Sequence, residues 1–168
     1  MTLDSLNSTT GDAAPSRIQT EFVCFASGTL IATLDGDRAV EDLVPGDLIM
    51  THDNGPQPLL WRGARTLKFS VAAQHPQQPI EFKPGALGVG QPKHRLVVSP
   101  QHRMLLHTGD REVLAPALGF VGAAGVRKMR GSRSVTYHTL LLANHEIIIA
   151  NGALVESFYP GRVVMDVL

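Results

Sequence analysis

The chain has 168 residues, of which 43% are apolar and 18% charged, and its 15 basic and 15 acidic side chains cancel at neutral pH. This composition is typical of one globular domain with its own buried core. It argues against nucleic-acid binding, which normally needs a basic surplus, and provides no charge for adhesion to an anionic membrane. The longest stretch without polar side chains, residues 113–126, is too short to cross a bilayer. We therefore expect neither nucleic acid nor a membrane as a partner.

Cysteine, glycine and proline usage narrows the choice of fold. The single cysteine, Cys24, excludes an internal disulfide framework and a zinc site built from several thiolates. The 16 glycines and 11 prolines are spread along the whole length, and both residue types disfavour helix. Short strands joined by many turns are therefore expected, rather than a helix bundle.

The first 21 residues differ in amino-acid composition from the rest of the chain. Residues 1–21 are rich in Ser, Thr, Asp, Gly and Ala and have no sustained apolar period. Such a segment has too little apolar surface to offset the entropy of ordering, so it predicts a flexible leader. It lacks the basic start and apolar block of an ordinary signal peptide. The location therefore stays open between the cytoplasm and export by a non-classical route.

From Phe22 onward, apolar and β-branched runs alternate with turn pairs. Residues 29–34 form one such run, which ends at Asp35-Gly36, a pair with a strong hairpin preference. The strongest strand patterns are residues 135–142 and 146–150, and Asn151-Gly152 closes the second of them. These patterns predict an all-β domain with little helix.

Two stretches depart from the strand pattern. Residues 74–92 are rich in proline and glycine and are predicted to form a long loop or an extended excursion. Residues 112–120 are compatible with one short helix, broken by Pro116.

Cys24 stands where the leader ends and the strand-rich part begins. A thiol at that position can attack the carbonyl carbon of Val23 through a five-membered ring, with nucleophile and electrophile already tethered. Amide resonance and a poor amine leaving group oppose the reaction. It therefore needs a proton donor for the leaving nitrogen, usually His, and hydrogen bonds to the oxyanion. The ordinary alternative is that Cys24 is a small buried hydrophobic residue.

Histidines are the candidate proton donors. His102 follows Ser99-Pro100-Gln101 at a predicted corner between strands, and His138 and His145 lie in or beside the late strands. Taken singly, each is equally compatible with a surface or core role. The other four histidines have no ligand spacing and are assigned surface or structural roles: His52, His75, His94 and His107. Neither a metal nor a cofactor is expected.

Four segments together resemble the Hint (Hedgehog/intein) family, in particular the bacterial intein-like Hint proteins. Residues 24–29 (CFASGT) are similar to the family's opening nucleophile block, and residues 40–47 (VEDLVPGD) to the turn that follows it. Residues 99–102 (SPQH) resemble its Thr-x-x-His block with Ser in place of Thr, and residues 137–152 resemble its late strand pair. The resemblance covers residues 22–160, which we assign to a Hint-like autoprocessing domain; residues 161–168 are assigned to a C-terminal tail.

The resemblance implies a compact, horseshoe-like all-β fold of two pseudo-symmetric halves, and it implies roles for several residues. Cys24 would be the nucleophile of an N–S acyl shift, His102 would protonate the departing Cys24 nitrogen, and Ser99 would hold the scissile amide. We expect the His102 ring within hydrogen-bond reach of that nitrogen, or one water away. His138 falls where inteins commonly have Asp and is assigned to proton transfer. His145, near the C-terminal junction, is either catalytic or structural.

The C-terminal junction departs from that of a splicing intein. Inteins end in His-Asn followed by Cys, Ser or Thr, whereas this chain has Glu156-Ser157-Phe158. Ser cannot form a succinimide as Asn does, and Phe158 cannot accept an acyl group. The predicted function is therefore single-turnover, cysteine-dependent self-cleavage without full splicing. Its substrate would be the chain's own N-terminal segment, and water or an external amine or thiol would resolve the thioester.

Two other functions compete with self-cleavage. A Hint-fold binding or export-associated module with weak or lost chemistry is the alternative, and the intact mass of the expressed protein distinguishes the two. A multiple-turnover hydrolase is disfavoured because no exposed triad or metal set emerges. The protein is expected to be a monomer.

Overall fold

The structure, a computed structural model, describes residues 23–72 and 74–159. The predicted leader and the predicted C-terminal tail lie outside the described residues, so their assignment stays a prediction.

Short strands dominate the described part of the chain. In chain order they are β1 Phe25–Ala26, β2 Leu30–Thr33, β3 Gly36–Ala39, β4 Leu48–Thr51, β5 Gly55–Pro58, β6 Trp61–Lys68, β7 Ile80–Phe82, β8 Leu96–Val98, β9 Arg103–Thr108, β10 Arg111–Pro116, β11 Val126–Lys128, β12 Ser134–Leu141, β13 Ile147–Ala150 and β14 Ala153–Glu156. Two 3-10 helices, Val40–Asp42 and Ala117–Phe120, complete the described secondary structure. None of the helices in the described residues has the length and apolarity needed to span a membrane. The prediction of an all-β fold with little helix is confirmed.

The strands form two sheets. One sheet has six strands in the order β11-β7-β8-β1-β12-β6. The other has the order β10-β9-β14-β13-β2-β4-β5, with β3 paired to β2. Strand β1 is only two residues long, but it lies in the middle of the first sheet, antiparallel to both β8 and β12. Cys24, the residue immediately before β1, is therefore held between two neighbouring strands.

One apolar cluster connects the two sheets. Phe82 and Leu140 from the first sheet and Ile31, Met104 and Ile148 from the second are all 0% exposed and belong to this core. Burying a side chain of this size contributes about 1.5–3 kcal/mol. The core therefore fixes the position of β1 and β12 relative to β13 and β14.

The hairpin between β13 and β14 uses the turn predicted from the sequence. Asn151 and Gly152 both have positive φ, at 48° and 81°, as a type I′ turn requires at its two central residues. The Asn151 side chain also accepts a hydrogen bond from the Leu30 N–H at 2.7 Å and donates one to the Arg95 carbonyl at 2.7 Å. This turn therefore links β13–β14 to β2 and to the segment before β8.

Two local predictions need correction. The short helix predicted within residues 112–120 is confined to the 3-10 helix at Ala117–Phe120, and residues 112–116 belong to β10, which pairs with β9 along its whole length. The tight turn at Gly109 (φ 62°) folds the chain back onto β9, and cross-strand pairing outweighs local helix propensity. Residues 74–92, predicted as a long loop or an extended excursion, also contain the buried strand β7, where the Glu81 carboxylate accepts hydrogen bonds from two arginine side chains.

Candidate active site

Ser99 binds the backbone of Cys24 on both sides of that residue. The Cys24 N–H donates to Ser99 Oγ at 3.0 Å, and the Cys24 carbonyl accepts from the Ser99 N–H at 3.1 Å. Cys24 is 3% exposed and Ser99 is 0% exposed. In an acyl shift at Cys24, the nitrogen bound by Ser99 is the leaving atom. Ser99 thus contacts the amide that the sequence analysis expected it to hold.

His102 lies fully buried beside the same residue. Its Nδ1 is 3.0 Å from the Cys24 carbonyl oxygen and its Nε2 is 2.8 Å from the Glu156 carbonyl oxygen. The ring packs edge-on against Phe25, with centroids 4.5 Å apart. The sequence analysis expected this ring at the Cys24 nitrogen. The structure instead brings it to the carbonyl oxygen of the same residue.

The two contacts of His102 bear on its protonation. Carbonyl oxygens only accept hydrogen bonds, and a neutral imidazole has one N–H to donate. Burial lowers the pKa of His102 below its usual value, while the hydrogen bonds to the two carbonyls oppose that shift. The neutral ring that burial favours can donate to only one of these two carbonyls, and a protonated ring would donate to both.

The Cys24 sulfur faces Thr139 and a cavity. Sγ is 3.2 Å from Thr139 Oγ1. Burial raises the pKa of the Cys24 thiol to about 11, although the Thr139 hydrogen bond and the positive charge of Arg65 lower it. The adjoining cavity has a volume of about 350 Å³, and its walls include Trp61 and Tyr137. At neutral pH the sulfur is therefore a protonated thiol next to a space large enough for a small molecule or a few side chains.

His138 lies on the other face of β12 from the sulfur. It is paired directly with Phe25, and its Nε2 is 2.8 Å from Ser27 Oγ. Its Nδ1 is 3.2 Å from an Arg62 guanidinium nitrogen, which can only donate. Burial and the Arg62 charge lower the pKa of His138. This geometry favours a neutral ring that accepts from Arg62 and donates to Ser27.

The residue that reaches the sulfur from β12 is thus Thr139, which the sequence analysis did not single out. The available signal was the strand period of two: if His138 faces one side of β12, its neighbour faces the other. Proton transfer by His138 stays a prediction.

His145 contacts the C-terminal junction. Its Nε2 is 2.9 Å from Glu156 Oε2, and Glu156 Oε1 accepts from the Arg103 N–H at 3.0 Å. Because the Glu156 carbonyl contacts His102, residue 156 connects His145 to the Cys24 site. Ser157 is 0% exposed. Its Oγ accepts from the Glu146 N–H at 2.9 Å, and its own N–H donates to the Glu146 carbonyl at 2.8 Å.

Comparisons with known proteins identify the family and the fold of the chain. A family model described as the Hint domain matches residues 23–162. Among solved structures, the chain is similar to a bacterial intein-like domain from Clostridium thermocellum, with a TM-score of 0.57, 13% identity, and coverage of 82% of this chain and 99% of that one. It is also similar to a splice-inactive variant of the AceL NrdHF class 3 split intein, with a TM-score of 0.56, 12% identity, and coverage of 82% and 100%.

A third similar structure is the MchDnaB-1 intein, with a TM-score of 0.53, 13% identity, and coverage of 80% of this chain and 99% of that one. No curated protein sequence matches the chain. At these identities the structural likeness establishes the fold alone, whereas the family model extends over most of the chain. The resemblance noted in the sequence is confirmed, and the chain belongs to the Hint domain family.

Proposed function

We propose that this Hint domain is a single-turnover autoprocessing domain that cleaves the Val23–Cys24 peptide bond through a thioester. The observation that carries the proposal is the pair of contacts to Cys24: Ser99 Oγ is 3.0 Å from its nitrogen and His102 Nδ1 is 3.0 Å from its carbonyl oxygen. A hydroxyl and a buried histidine at this one residue are the groups that acyl transfer from an amide requires.

The reaction begins at the Cys24 thiol. Sγ loses its proton as it bonds to the Val23 carbonyl carbon, the C–N bond breaks, and the Cys24 nitrogen gains one proton. His102 donates that proton once its ring turns from the Cys24 carbonyl oxygen toward the nitrogen, and it takes up the proton that the thiol releases. Ser99 keeps the nitrogen in position. Water, or an external amine or thiol, then attacks the thioester, which releases the segment ending at Val23 and restores the Cys24 thiol.

The junction at Ser157 supports cleavage without splicing. Succinimide formation requires a side-chain amide nitrogen, which Ser157 lacks. Its hydroxyl already accepts a hydrogen bond from Glu146, and the N–H of Phe158 donates to the Leu140 carbonyl at 3.0 Å. The penultimate residue, Glu156, has a carboxylate that accepts hydrogen bonds rather than donating them. We therefore expect residues 158–168 to stay attached.

A binding or export-associated module with weak or lost chemistry is the second candidate. The observation that favours it is the buried, hydrogen-bonded thiol, whose pKa of about 11 leaves little nucleophilic thiolate at neutral pH. In that case the cavity beside Cys24 would serve to bind a ligand rather than to admit an acyl acceptor.

Intact mass spectrometry of the full chain tests the proposal. Incubation with dithiothreitol or hydroxylamine should release residues 1–23 and leave a fragment that begins at Cys24. Cys24→Ala should abolish the release, and His102→Gln should slow it by roughly 10²–10⁴-fold, as expected when a general acid is removed. His94→Gln, at an exposed histidine, is the matched control and should cleave at the wild-type rate.

The outcomes separate the two candidates. Equal release from wild type and Cys24→Ala would refute the cysteine mechanism. An intact wild-type mass after prolonged incubation, from a protein that gives a normal unfolding transition, would favour the binding module.

A further inference from the structure

Two imidazole nitrogens converge on one carboxylate oxygen in an exposed cluster that shares no residue with the Cys24 site. His52 Nε2 is 3.3 Å from Glu112 Oε1, and His107 Nε2 is 3.2 Å from the same oxygen. The potential ligand atoms of the three residues all lie within 4.8 Å of one another. The two rings are steeply inclined, with an interplanar angle of 77° and centroids 6.5 Å apart. Each ring therefore contributes one nitrogen to a contact with the same oxygen.

These separations match the edges of a tetrahedral metal site. Zinc binds His nitrogen at about 2.0–2.1 Å and carboxylate oxygen at about 2.0–2.2 Å. In a tetrahedron with such bonds, neighbouring ligand atoms are roughly 3.3–3.5 Å apart. Both N···O distances agree with this geometry to within about 0.2 Å. Two histidines and one carboxylate also form a donor set that Zn²⁺ uses when its fourth position is open to water.

The backbones of the three residues are held by strands. His107 and Glu112 are direct cross-strand partners in the β9–β10 hairpin. His52 follows β4 immediately, and its N–H donates to the Ile147 carbonyl at 2.7 Å. Only side-chain torsions need to adjust for an ion to bind. All three side chains are partly exposed, with fractions of 31% for His52, 52% for His107 and 50% for Glu112, so an ion can enter from solvent.

We propose that His52, His107 and Glu112 bind a divalent transition-metal ion of the zinc class, with the fourth position occupied by water. Imidazole and carboxylate ligands suit Zn²⁺, and three protein ligands leave the ion open on its solvent side. The ion would join the β9–β10 hairpin to the end of β4, which are far apart in the sequence. The site shares no residue with the Cys24 site, so it can be tested independently of autoprocessing.

Isothermal titration of Zn²⁺ into the untagged full chain, first dialysed against a chelator, provides the test. We expect one equivalent to bind and to raise the Tm, because a ligand that binds only the folded state stabilises it. His107→Gln and Glu112→Gln should each weaken binding by roughly tenfold or more. His94→Gln and Cys24→Ala should bind as the wild type does. Substituted Co²⁺ should give the intense visible absorption of four-coordinate cobalt without a sulfur-to-metal charge-transfer band.

Three results would overturn the proposal: no binding at one equivalent, unchanged affinity in both His107→Gln and Glu112→Gln, or loss of binding in Cys24→Ala. Thermal unfolding in excess chelator checks that each variant folds. Should either variant fail that check, His52→Gln takes its place with the same expected loss of affinity.

Discussion

Because Cys24 is the single cysteine of the chain, its ionisation can be followed through the rate of thiol alkylation. The pKa of about 11 exceeds the reference value of 9.0 by two units. At any pH below 9, the thiolate fraction should therefore be about a hundredfold lower than that of an ordinary cysteine. The alkylation rate with iodoacetamide should rise about tenfold per pH unit between pH 7 and 9.5 without levelling off.

A substitution at Thr139 tests how the environment of the sulfur sets the pKa of the Cys24 thiol. Its hydroxyl, 3.2 Å from Sγ, lowers the pKa of the thiol. Removing it in Thr139→Val should raise that pKa by about one unit, since a hydrogen bond to a charged group contributes about 1.5–3 kcal/mol and each unit corresponds to about 1.4 kcal/mol. The alkylation rate should fall about tenfold at every pH in the range. Thr136→Val is the control, because the Thr136 hydroxyl contacts Thr66 instead.

The pH profile of the wild type compares rates within one protein, so slow access to a buried sulfur cancels. A wild-type profile that levels off near pH 9 would refute the assignment of a raised pKa. Wild type and Thr139→Val are compared through their absolute rates, with Thr136→Val as the control for changed access to the sulfur. Identical absolute rates for wild type and Thr139→Val would show that the Thr139 hydroxyl does not stabilise the thiolate.

Three further predictions concern stability, measured by urea unfolding. Leu140→Ala removes a fully buried side chain and should lower the free energy of unfolding by about 2–5 kcal/mol. Leu118→Ala, at an exposed position, is the control and should change that free energy by no more than about 0.5 kcal/mol. Equal effects of the two substitutions would contradict the assigned core. Asn151→Asp replaces an amide nitrogen that donates to a backbone carbonyl with an oxygen that can only accept, which should lower the free energy of unfolding by about 1–3 kcal/mol. An unchanged free energy of unfolding would argue against that hydrogen bond. Two arginines lower the pKa of Glu81 below its usual value. The ionised carboxylate therefore stabilises the folded state at pH values above the pKa of Glu81 in the unfolded chain. This stabilisation is lost as the pH falls through the lower pKa of the folded state. Glu81→Gln should therefore cost about 1–2 kcal/mol at pH 7, and its difference from wild type should narrow in acid; a constant difference down to pH 3 would contradict this linkage.

The amino-acid sequence alone was sufficient for the fold class and for several local features. Frequent glycine and proline, with β-branched runs between turn pairs, predicted an all-β chain, and Asn151-Gly152 predicted the β13–β14 hairpin. These features are local: a type I′ turn needs positive φ at two adjacent residues, and few residue pairs tolerate it. The order of the four motifs likewise identified the Hint family. The side-chain chemistry of junction residues 156–158 predicted cleavage without full splicing, which stays a prediction.

The tertiary structure decided which side chains meet. Both faces of β12 are buried, since Tyr137 and His138 are each 3% exposed, so the residue pattern of this strand cannot indicate which face turns toward Cys24. The register with β1 decides it, and a shift of one residue would exchange His138 and Thr139.

The contacts at Cys24 and at the proposed metal site are also long-range. Ser99 reaches the Cys24 nitrogen across 75 positions of sequence, and His52 reaches Glu112 across 60. No spacing rule in the sequence encodes such pairs, because they depend on how two sheets order their strands. Side-chain chemistry thus determined which interactions each residue can make, and strand order and register determined which residues contact one another.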